Sequence, residues 1–382
     1  MSLALRTRYV STSDIARIAL GWGAVVALLA IGPVMEPPVS AAVLVVALAA
    51  IVVVIVVCAF GVVRQAEALA HRLGDPYGSL VLTLSIVLIE VILIAAVMLG
   101  PGDHTTIARD SVMAVAMIIM NLVIGLSLLV GGLRHGGMEH NRTGTSAYLS
   151  MLIVLAALAF ALPALIGEAG SYTVGQEIPI IAVTLVIYAF FLFRQMGAQA
   201  GDFREVDERV RARLPRHGDD RSTRISAVIR EHRREVLTRL VLLVVTVLPI
   251  VLLSHDMASL LDDGLGRLGA PVALAGVLIA MIVFLPESLT AVRAALGGEV
   301  QRVSNLCHGA LVSTVGLTIP VVLVIGMLTG QTVVLAESPA NLLLLGITLM
   351  LSVATFAASR VTAMHGAAHL VVFAVYGIIL FS

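Results

Sequence analysis

Residues 271–320 have the sequence PVALAGVLIAMIVFLPESLTAVRAALGGEVQRVSNLCHGALVSTVGLTIP. The stretch holds two apolar runs, and the first of them contains a carboxylate, Glu287. An ionised carboxylate at bilayer depth is costly, so a membrane helix that contains one turns it toward the protein interior, where it usually has a function. Glu90 lies in a similar apolar run in the first half of the chain. We therefore expect the two glutamates to form the functional centre.

The composition predicts an all-α polytopic membrane protein. The 382-residue chain is 59% hydrophobic and 13% charged, with a mean hydropathy of +1.05. Apolar runs of about 20 residues, the length that crosses a bilayer, recur along it. The formal net charge is zero, so no nucleic-acid partner is expected. Cys58 and Cys307 both fall inside apolar runs, and we interpret them as small buried side chains rather than as a disulfide.

Charged residues, proline and glycine divide the apolar runs into eleven predicted spans. Of the 24 arginines, 22 fall in inside segments when the N-terminus is placed in the cytoplasm, and only Arg109 and Arg267 fall outside. Because cytoplasmic segments are enriched in positive charge, this predicts an N-terminus inside and a C-terminus outside. The spans are expected at about 15–34, 40–63, 78–99, 111–133, 146–167, 178–196, 237–254, 271–292, 303–328, 339–358 and 362–381.

The first span has an alternative interpretation. Arg6, Arg8 and Arg17 precede an apolar segment, which is also the pattern of a cleaved signal peptide. Retaining the segment keeps the distribution of arginines consistent along the whole chain, so we expect a membrane helix.

The two halves of the chain share a motif. RLGDP at Arg72–Pro76 precedes Glu90, and RLGAP at Arg267–Pro271 precedes Glu287. The predicted topology places the first motif inside and the second outside, so the halves would have opposite orientations. Inverted repeats are the architecture of many secondary transporters, and their binding sites lie near the midplane where the repeats meet.

Four parts are therefore expected along the chain. They are an extra N-terminal helix at 1–36, a five-helix repeat at 37–196, a charged cytoplasmic loop at 197–235 and a second five-helix repeat at 236–382. The loop carries ten arginines and eight acidic residues, and we interpret it as a solvated linker. A regulatory or cation-sensing role for Asp219, Asp220 and His217 is the alternative.

Polar residues accompany both glutamates at helical spacing, and they are the predicted supporting ligands of a cation. For Thr83, Asn121 and Ser313, interhelical hydrogen bonding without a ligand role is the alternative. The supporting residues are Thr83, Asn121, Asn305, His308 and Ser313.

Pro286 immediately precedes Glu287 and removes a backbone donor, which frees the carbonyl of Ile282. The helix is therefore predicted to be kinked or broken there, and a freed carbonyl beside a carboxylate suits a cation that prefers oxygen ligands. A simple packing kink is the alternative.

His365 and His369 begin the last span as HGAAH. Their spacing occurs in zinc sites, but two histidines without a carboxylate or thiolate are a weak signal. We interpret them as a polar helix end with one packed histidine, and proton movement through His369 is the alternative.

Two carboxylates also predict a mechanism. With both ionised, the centre carries two negative charges, which are costly to leave uncompensated in a membrane. The protein would change readily between its inward-facing and outward-facing states only with one divalent cation or with protons bound there. Because the cation and the protons compete for the same carboxylates, their fluxes are coupled in opposite directions.

Three stretches resemble the calcium/proton antiporters of the calcium/cation antiporter superfamily, especially the bacterial branch. They are LAHRLGDPYGSLVLTLSIVLIEVILI (69–94), FLPESLTAVRAALGGEVQRVSNLCHGALVSTVGLTIPVV (284–322) and HGAAHLVVFAVYG (365–377). The resemblance implies ten core helices plus one, with one acidic residue per repeat, Glu90 and Glu287, binding the exchanged cation. The Gly-Asn-x-x-Glu motif of the wider superfamily is absent around both glutamates.

The predicted function is exchange of cytoplasmic Ca²⁺, with Na⁺ or K⁺ as further candidates, for protons across the inner membrane of a bacterium. No tightly bound cofactor is expected, and the partners are small cations, protons and the lipid bilayer. A monovalent cation/proton antiporter is the nearest alternative, followed by a channel or an intramembrane enzyme.

Overall fold

The computed structural model describes residues 10–35, 39–73, 77–98, 105–207, 210, 232–271 and 273–381. Long helices dominate these residues. In chain order they are α1 (Thr12–Met35), α2 (Ala41–Leu73), α3 (Tyr77–Met98), α4 (Ile107–His135), α5 (Arg142–Ile166), α6 (Val174–Met196), α7 (Arg233–Leu268), α8 (Ala273–Gly297), α9 (Val300–Thr329), α10 (Pro339–Ala357) and α11 (Ala363–Leu380).

Each of the eleven predicted spans coincides with one of these helices, which confirms the all-α polytopic class. Over the described residues, nine helices are long and apolar enough to cross a membrane, or ten when α8 is included. Helix α8 falls into two segments, Leu274–Leu285 and Glu287–Gly297, on either side of Pro286, as that proline predicted. Several side chains of α3 lie outside the described part of the chain, so the count of eleven stays a prediction.

Helix α7 is much longer than its predicted span of 237–254, because the charged residues that marked the end of the span do not end the helix. It contains 36 residues, about 54 Å at 1.5 Å per residue. Met257, Leu260 and Leu261 keep an apolar face buried beyond residue 254. Arg267 pairs with Asp263 one turn earlier, at 2.6 Å, which supports the last turns.

The chain forms two compact units, and each takes segments from both halves of the sequence. Unit 1 comprises Met1–Ser85 and Arg216–Pro286, and unit 2 comprises Ile86–Pro215 and Glu287–Ser382. Glu90 and Glu287 both belong to unit 2.

In unit 1, α2 packs along α7 and α1 contacts both helices. Gly21 allows the close approach of α1, since a Cβ there would lie 2.9 Å from Cys58 Sγ and 3.0 Å from Pro249 Cβ. Cys58 is free and buried, as is Cys307 in unit 2, in agreement with the interpretation of both as small buried side chains.

Helix α9 is the centre of unit 2. It packs against α4, α5 and α6, and nearly every residue from Val300 to Pro320 is buried. Helix α11 packs along the second half of α4 through small residues, because a Cβ at Gly366 would overlap the backbone of Leu128 and Leu129. A short antiparallel ribbon of β1 (Gly137–Glu139) and β2 (Arg360–Thr362) ties the end of α4 to the start of α11.

The first part of the predicted solvated linker is partly buried. Residues 198–207 follow α6 in unit 2, with a short 3₁₀ helix at Ala200–Phe203, and Phe203 is only 2% exposed. A single aromatic residue, Phe203, among charged residues does not by itself predict that the segment packs against the protein. Asp219, Asp220 and His217 lie outside the described residues.

Candidate functional site

Glu90 on α3 and Glu287 on α8 are both buried, with 5% and 4% of their surface exposed. The Thr314 hydroxyl on α9 donates a hydrogen bond to Glu90 Oε2 at 2.6 Å. Among the described residues, Glu90 Oε1 and both carboxylate oxygens of Glu287 accept no hydrogen bond. The two glutamates are close enough for the charge of one to act on the other. The arrangement is therefore a pair of interacting carboxylates with three buried oxygens that accept no hydrogen bond from the described residues, which is unusual for buried polar groups.

Helix α9 presents different faces to different neighbours, and Thr314 defines the face at Glu90. Successive residues of an α-helix are rotated by about 100°, so Asn305, nine residues before Thr314, lies on the opposite side of α9. Cys307 is on the face of Thr314, seven residues earlier, and the charge of Glu287 acts on it. This face contacts Glu90 through Thr314, and at Cys307 it lies within reach of the charge of Glu287.

Asn305 and Ser313, two of the predicted supporting ligands, have other partners. Asn305 Nδ2 donates to the Phe203 carbonyl at 2.7 Å, and its Oδ1 accepts from Gln301 Nε2 at 3.0 Å. The Ser313 hydroxyl accepts from Tyr188 on α6 at 3.0 Å. The described contacts do not bring either residue to the glutamates, and their ligand roles stay predictions.

His308 lies in a third environment on α9. Its Nδ1 hydrogen-bonds with the Ser304 hydroxyl at 2.9 Å, and that hydroxyl shares a hydrogen bond with Thr145 on α5 at 3.1 Å. The imidazole ring packs edge-to-face against Phe356, with ring centroids 5.0 Å apart. The contacts described for His308 are those of a packed interior histidine.

Asn121 lies in a π-helical turn, Ile118–Val123, within α4. Its Nδ2 donates to the Thr348 hydroxyl on α10 at 2.8 Å, and its Oδ1 is 3.3 Å from His369 Nδ1 on α11. Single π turns inside α-helices are often found at functional sites. Here the turn places one buried amide where three helices meet, which agrees with the interhelical role stated as the alternative for Asn121.

The two histidines of HGAAH have separate roles. His365 Nδ1 accepts a hydrogen bond from the Thr362 backbone N–H at 3.0 Å and thereby caps the start of α11. His369 is fully buried beside Asn121 and Thr355. This geometry matches the interpretation of a polar helix end with one packed histidine. Thr83 lies on α3, and its side chain is outside the part of the chain that the structure describes.

Residues 43–197 and 238–382 match the family model described as sodium/calcium exchanger protein. The chain belongs to this exchanger family. The two matched segments leave out α1 and the central charged segment. The family is one of exchangers rather than of catalysts in the usual sense.

Two curated relatives of the exchanger are similar over most of their length. The sodium-potassium/proton antiporter ChaA of Escherichia coli (strain K12) is 32% identical over 324 residues, which are 85% of this chain and 86% of ChaA. The putative ionic transporter y4hA of Sinorhizobium fredii is 35% identical over 320 residues, 83% of each chain. The crystal structure of the H⁺/Ca²⁺ exchanger CAX matches with a TM-score of 0.69 and 15% identity, over 96% of this chain and 87% of that chain, and supports the fold.

Sequence analysis missed Thr314, which hydrogen-bonds to Glu90 at the candidate site, and Thr348, which is the partner of Asn121. Because α9 is buried on all sides, its sequence has no polar face to show which hydroxyl points toward the glutamates. The one available signal was the seven-residue spacing of Cys307 and Thr314, which places both on one face of α9. This spacing identifies the face toward the glutamates only when the position of Glu287 is known.

Proposed function

We propose that the protein exchanges a cation for protons across the cytoplasmic membrane of a bacterium, with Glu90 and Glu287 binding both. The observation that supports this most strongly is the pair of interacting buried carboxylates, whose three oxygens accept no hydrogen bond from the described residues. Buried polar atoms without a protein partner are rare, and oxygen atoms of this kind suit a cation or a proton.

The charge of the pair couples the two fluxes. With both carboxylates ionised and no ion bound, two negative charges would be enclosed in a membrane protein, which is strongly unfavourable. One divalent cation or two protons compensate them equally well. The change between the inward-facing and outward-facing states is then favourable only with the cation or the protons bound. Movement of the cation in one direction therefore requires movement of protons in the opposite direction.

We infer that Ca²⁺ is the principal cation. Two carboxylates match one divalent ion in charge, and Ca²⁺ prefers oxygen ligands. The second candidate is exchange of Na⁺ or K⁺ for protons, which is favoured by the similarity to an antiporter named for sodium and potassium. The two candidates share the site and differ in the number of protons that stay bound with the cation. Ca²⁺ compensates both carboxylates alone, whereas Na⁺ or K⁺ compensates one and leaves a proton on the other.

The distribution of arginines supports a topology with the N-terminus in the cytoplasm and the C-terminus outside. In this orientation α9 begins at the cytoplasmic side, together with residues 198–207. Cytoplasmic Ca²⁺ would leave the cell while protons enter.

Reconstituted vesicles test the proposed function. The purified protein is placed in vesicles with an imposed pH gradient, and Ca²⁺, Na⁺, K⁺ and Mg²⁺ are added one at a time while internal pH is recorded. We expect Ca²⁺ to dissipate the gradient at the lowest concentration. Dissipation by Na⁺ or K⁺ alone would instead select the monovalent candidate.

Glu337→Gln is the matched control for Glu90→Gln and Glu287→Gln. Glu337 is also a buried carboxylate in unit 2, but its Oε2 accepts hydrogen bonds from Ser338 N and Asn341 Nδ2, which a glutamine oxygen can also accept. We expect the control to retain exchange and both site variants to lose it. Full exchange in either site variant would refute the assignment of the carboxylates.

A further inference from the structure

The segment that follows α6 returns to unit 2 and is anchored there by Phe203. The ring of Phe203 packs edge-to-face against Tyr148 of α5, with centroids 5.1 Å apart, and against Phe191 of α6, at 6.1 Å. A buried aromatic ring contributes a large apolar contact area, and these edge-to-face contacts add to it. The ring of Phe203 therefore attaches the segment to α5 and α6.

Polar contacts join the same segment to the first turns of α9. The Phe203 carbonyl accepts the hydrogen bond from Asn305 Nδ2, and Glu205 Oε2 accepts one from the Gln301 backbone N–H at 3.2 Å. Gln301 is the second residue of α9, where backbone N–H groups have no partner within the helix. A carboxylate at this position also interacts favourably with the helix dipole. The segment thus caps α9.

Both ends of the Asn305 amide are occupied in this arrangement. Its Nδ2 is held by Phe203 and its Oδ1 by Gln301 Nε2. Gln301 is fixed in turn, because its Oε1 accepts from the Asn141 backbone N–H at 2.8 Å. Each end of the amide therefore has a partner while the segment is docked, and these bonds fix its orientation.

Helix α5 is shaped to receive the segment. A Cβ at Gly144, in the first turn of α5, would overlap the Asp202 carbonyl. Glycine at this position allows the segment to lie directly on the helix. This close approach is independent of the contacts of Phe203 and Glu205.

We propose that residues 200–207 form a strap in which Phe203 and Glu205 are positioning residues for cation exchange. In the docked state the strap holds Asn305 and the first turn of α9. Its release frees the Asn305 amide and opens this end of unit 2 to ions. The proposal rests on the proposed exchange function for its effect on transport, but docking of the strap is measurable without transport.

The ionisation of Glu205 supplies a means of release. Burial raises the pKa of Glu205 to about 7, although hydrogen bonds from the backbone N–H groups of Asp207, Val206 and Gln301 oppose the shift and the Asp207 charge adds to it. Because the pKa is raised above its ordinary value of 4.5, the docked form binds the proton more tightly than the released form. Docking is therefore strongest below pH 4.5 and weakens as pH rises through about 7.

Other ionisable groups lie at the start of α9, on the strap and at the start of α5. Glu299 and Arg302 in the first turn of α9 pair with each other at 3.3 Å. The remaining charged groups on the strap and at the start of α5 are Asp202, Arg204, Asp207 and Arg142.

Hydrogen exchange of the full-length protein tests docking directly. Deuterium uptake of peptides covering residues 198–207 is measured by mass spectrometry between pH 6 and 8, for the unmodified protein and for Glu205→Gln at each pH. The glutamine variant cancels the intrinsic pH dependence of amide exchange. We expect the strap of the unmodified protein to lose protection, relative to the variant, by about tenfold over this range, since one titrating carboxyl changes the equilibrium by up to tenfold per pH unit.

Transport in vesicles tests the consequence of docking. We expect exchange by the unmodified protein to rise severalfold from pH 6 to 8. The Glu205→Gln variant should show a smaller rise, because protons still compete with the cation at Glu90 and Glu287. Phe203→Ala should release the strap and increase exchange at pH 6, and Phe203→Leu should restore part of the control. Arg204→Ala is the matched control, because the side chain of Arg204 is exposed on the strap.

The outcomes separate the strap from the proposed function. Equal pH profiles of protection in the unmodified protein and in Glu205→Gln would overturn the role of Glu205. Loss of protection in Phe203→Ala without any change in exchange would show a purely structural segment and overturn the positioning role. If no variant transports any cation while protection changes as expected, the proposed exchange function fails and the docking of the strap stands.

Discussion

Glu90 and Glu287 have similar burial and follow the same motif in the two halves of the sequence, but the structure holds them differently. Glu90 is fixed by the Thr314 hydroxyl, whereas neither oxygen of Glu287 accepts a hydrogen bond from the described residues. A hydrogen bond to a charged group contributes about 1.5–3 kcal/mol. One carboxylate is therefore oriented by a hydrogen bond from α9, and the other has no such bond from the described residues. Equivalent positions in a repeat need not have equivalent roles.

The largest expected effect comes from removing either charge. Glu90→Gln and Glu287→Gln should each reduce proton-coupled Ca²⁺ flux at least about a hundredfold. Each variant removes one of the two carboxylates that compensate the bound cation, and losing one partner of a buried ion pair costs about 3–5 kcal/mol. Initial rates in vesicles over a range of Ca²⁺ concentrations measure this. A loss confined to one of the two variants would show that only one glutamate binds the ion.

Thr314→Val tests the difference between the two glutamates. The substitution keeps the shape of the side chain and removes the hydroxyl, so we expect about a tenfold higher apparent Km for the cation. Thr314→Ser should remain close to the unmodified protein.

Thr318→Val is the matched control, since Thr318 is one turn further along α9, fully buried, and its hydroxyl has no hydrogen-bond partner among the described residues. Equal effects of the two valine variants would show that Thr314 does not position Glu90.

Asn121→Leu should act on stability more than on ion binding. It removes the hydrogen bond to Thr348 and the contact with His369 where α4, α10 and α11 meet. We expect a loss of about 1–3 kcal/mol, because the Thr348 hydroxyl is left buried without its donor. Thermal unfolding in detergent measures the loss. An unchanged Tm together with a raised Km would instead make Asn121 a ligand.

The smallest effect on cation affinity is expected from Asn305→Ala. Asn305 lies on the side of α9 opposite Thr314, so the apparent Km at pH 6, where the strap is docked, should change by less than about twofold. A tenfold rise in Km would restore the sequence-based prediction that Asn305 is a supporting ligand.

The sequence predicted the helices and both glutamates because hydropathy and charge are properties of short stretches. It did not predict the faces of α9, since a helix buried on all sides has no amphipathic pattern. The π turn at Ile118–Val123 adds a second difficulty, because it changes the register of α4 at Asn121. The partner of Asn121, Thr348, is 227 residues away, and no local pattern connects the two.

The strap shows a different limit. Hydrophilic composition predicted a boundary between the two halves of the chain, and it also suggested that the whole segment at 197–235 was solvated. The docking of residues 198–207 depends on one aromatic side chain and on a glycine at 144 in another helix. Such complementarity between distant positions is visible only in the folded protein.

The glycine seam between α4 and α11 limits how this exchanger can move. A side chain at Gly132 would overlap the backbone of Ala363, and one at Gly366 would overlap that of Leu128 and Leu129, so sliding by one residue would drive larger side chains into main chain. We therefore expect the two helices to move together, with Asn121 staying beside His369. Two spectroscopic labels, one on α4 and one on α11, would then report a constant distance. That distance can serve as a reference when the displacement of other helices is measured.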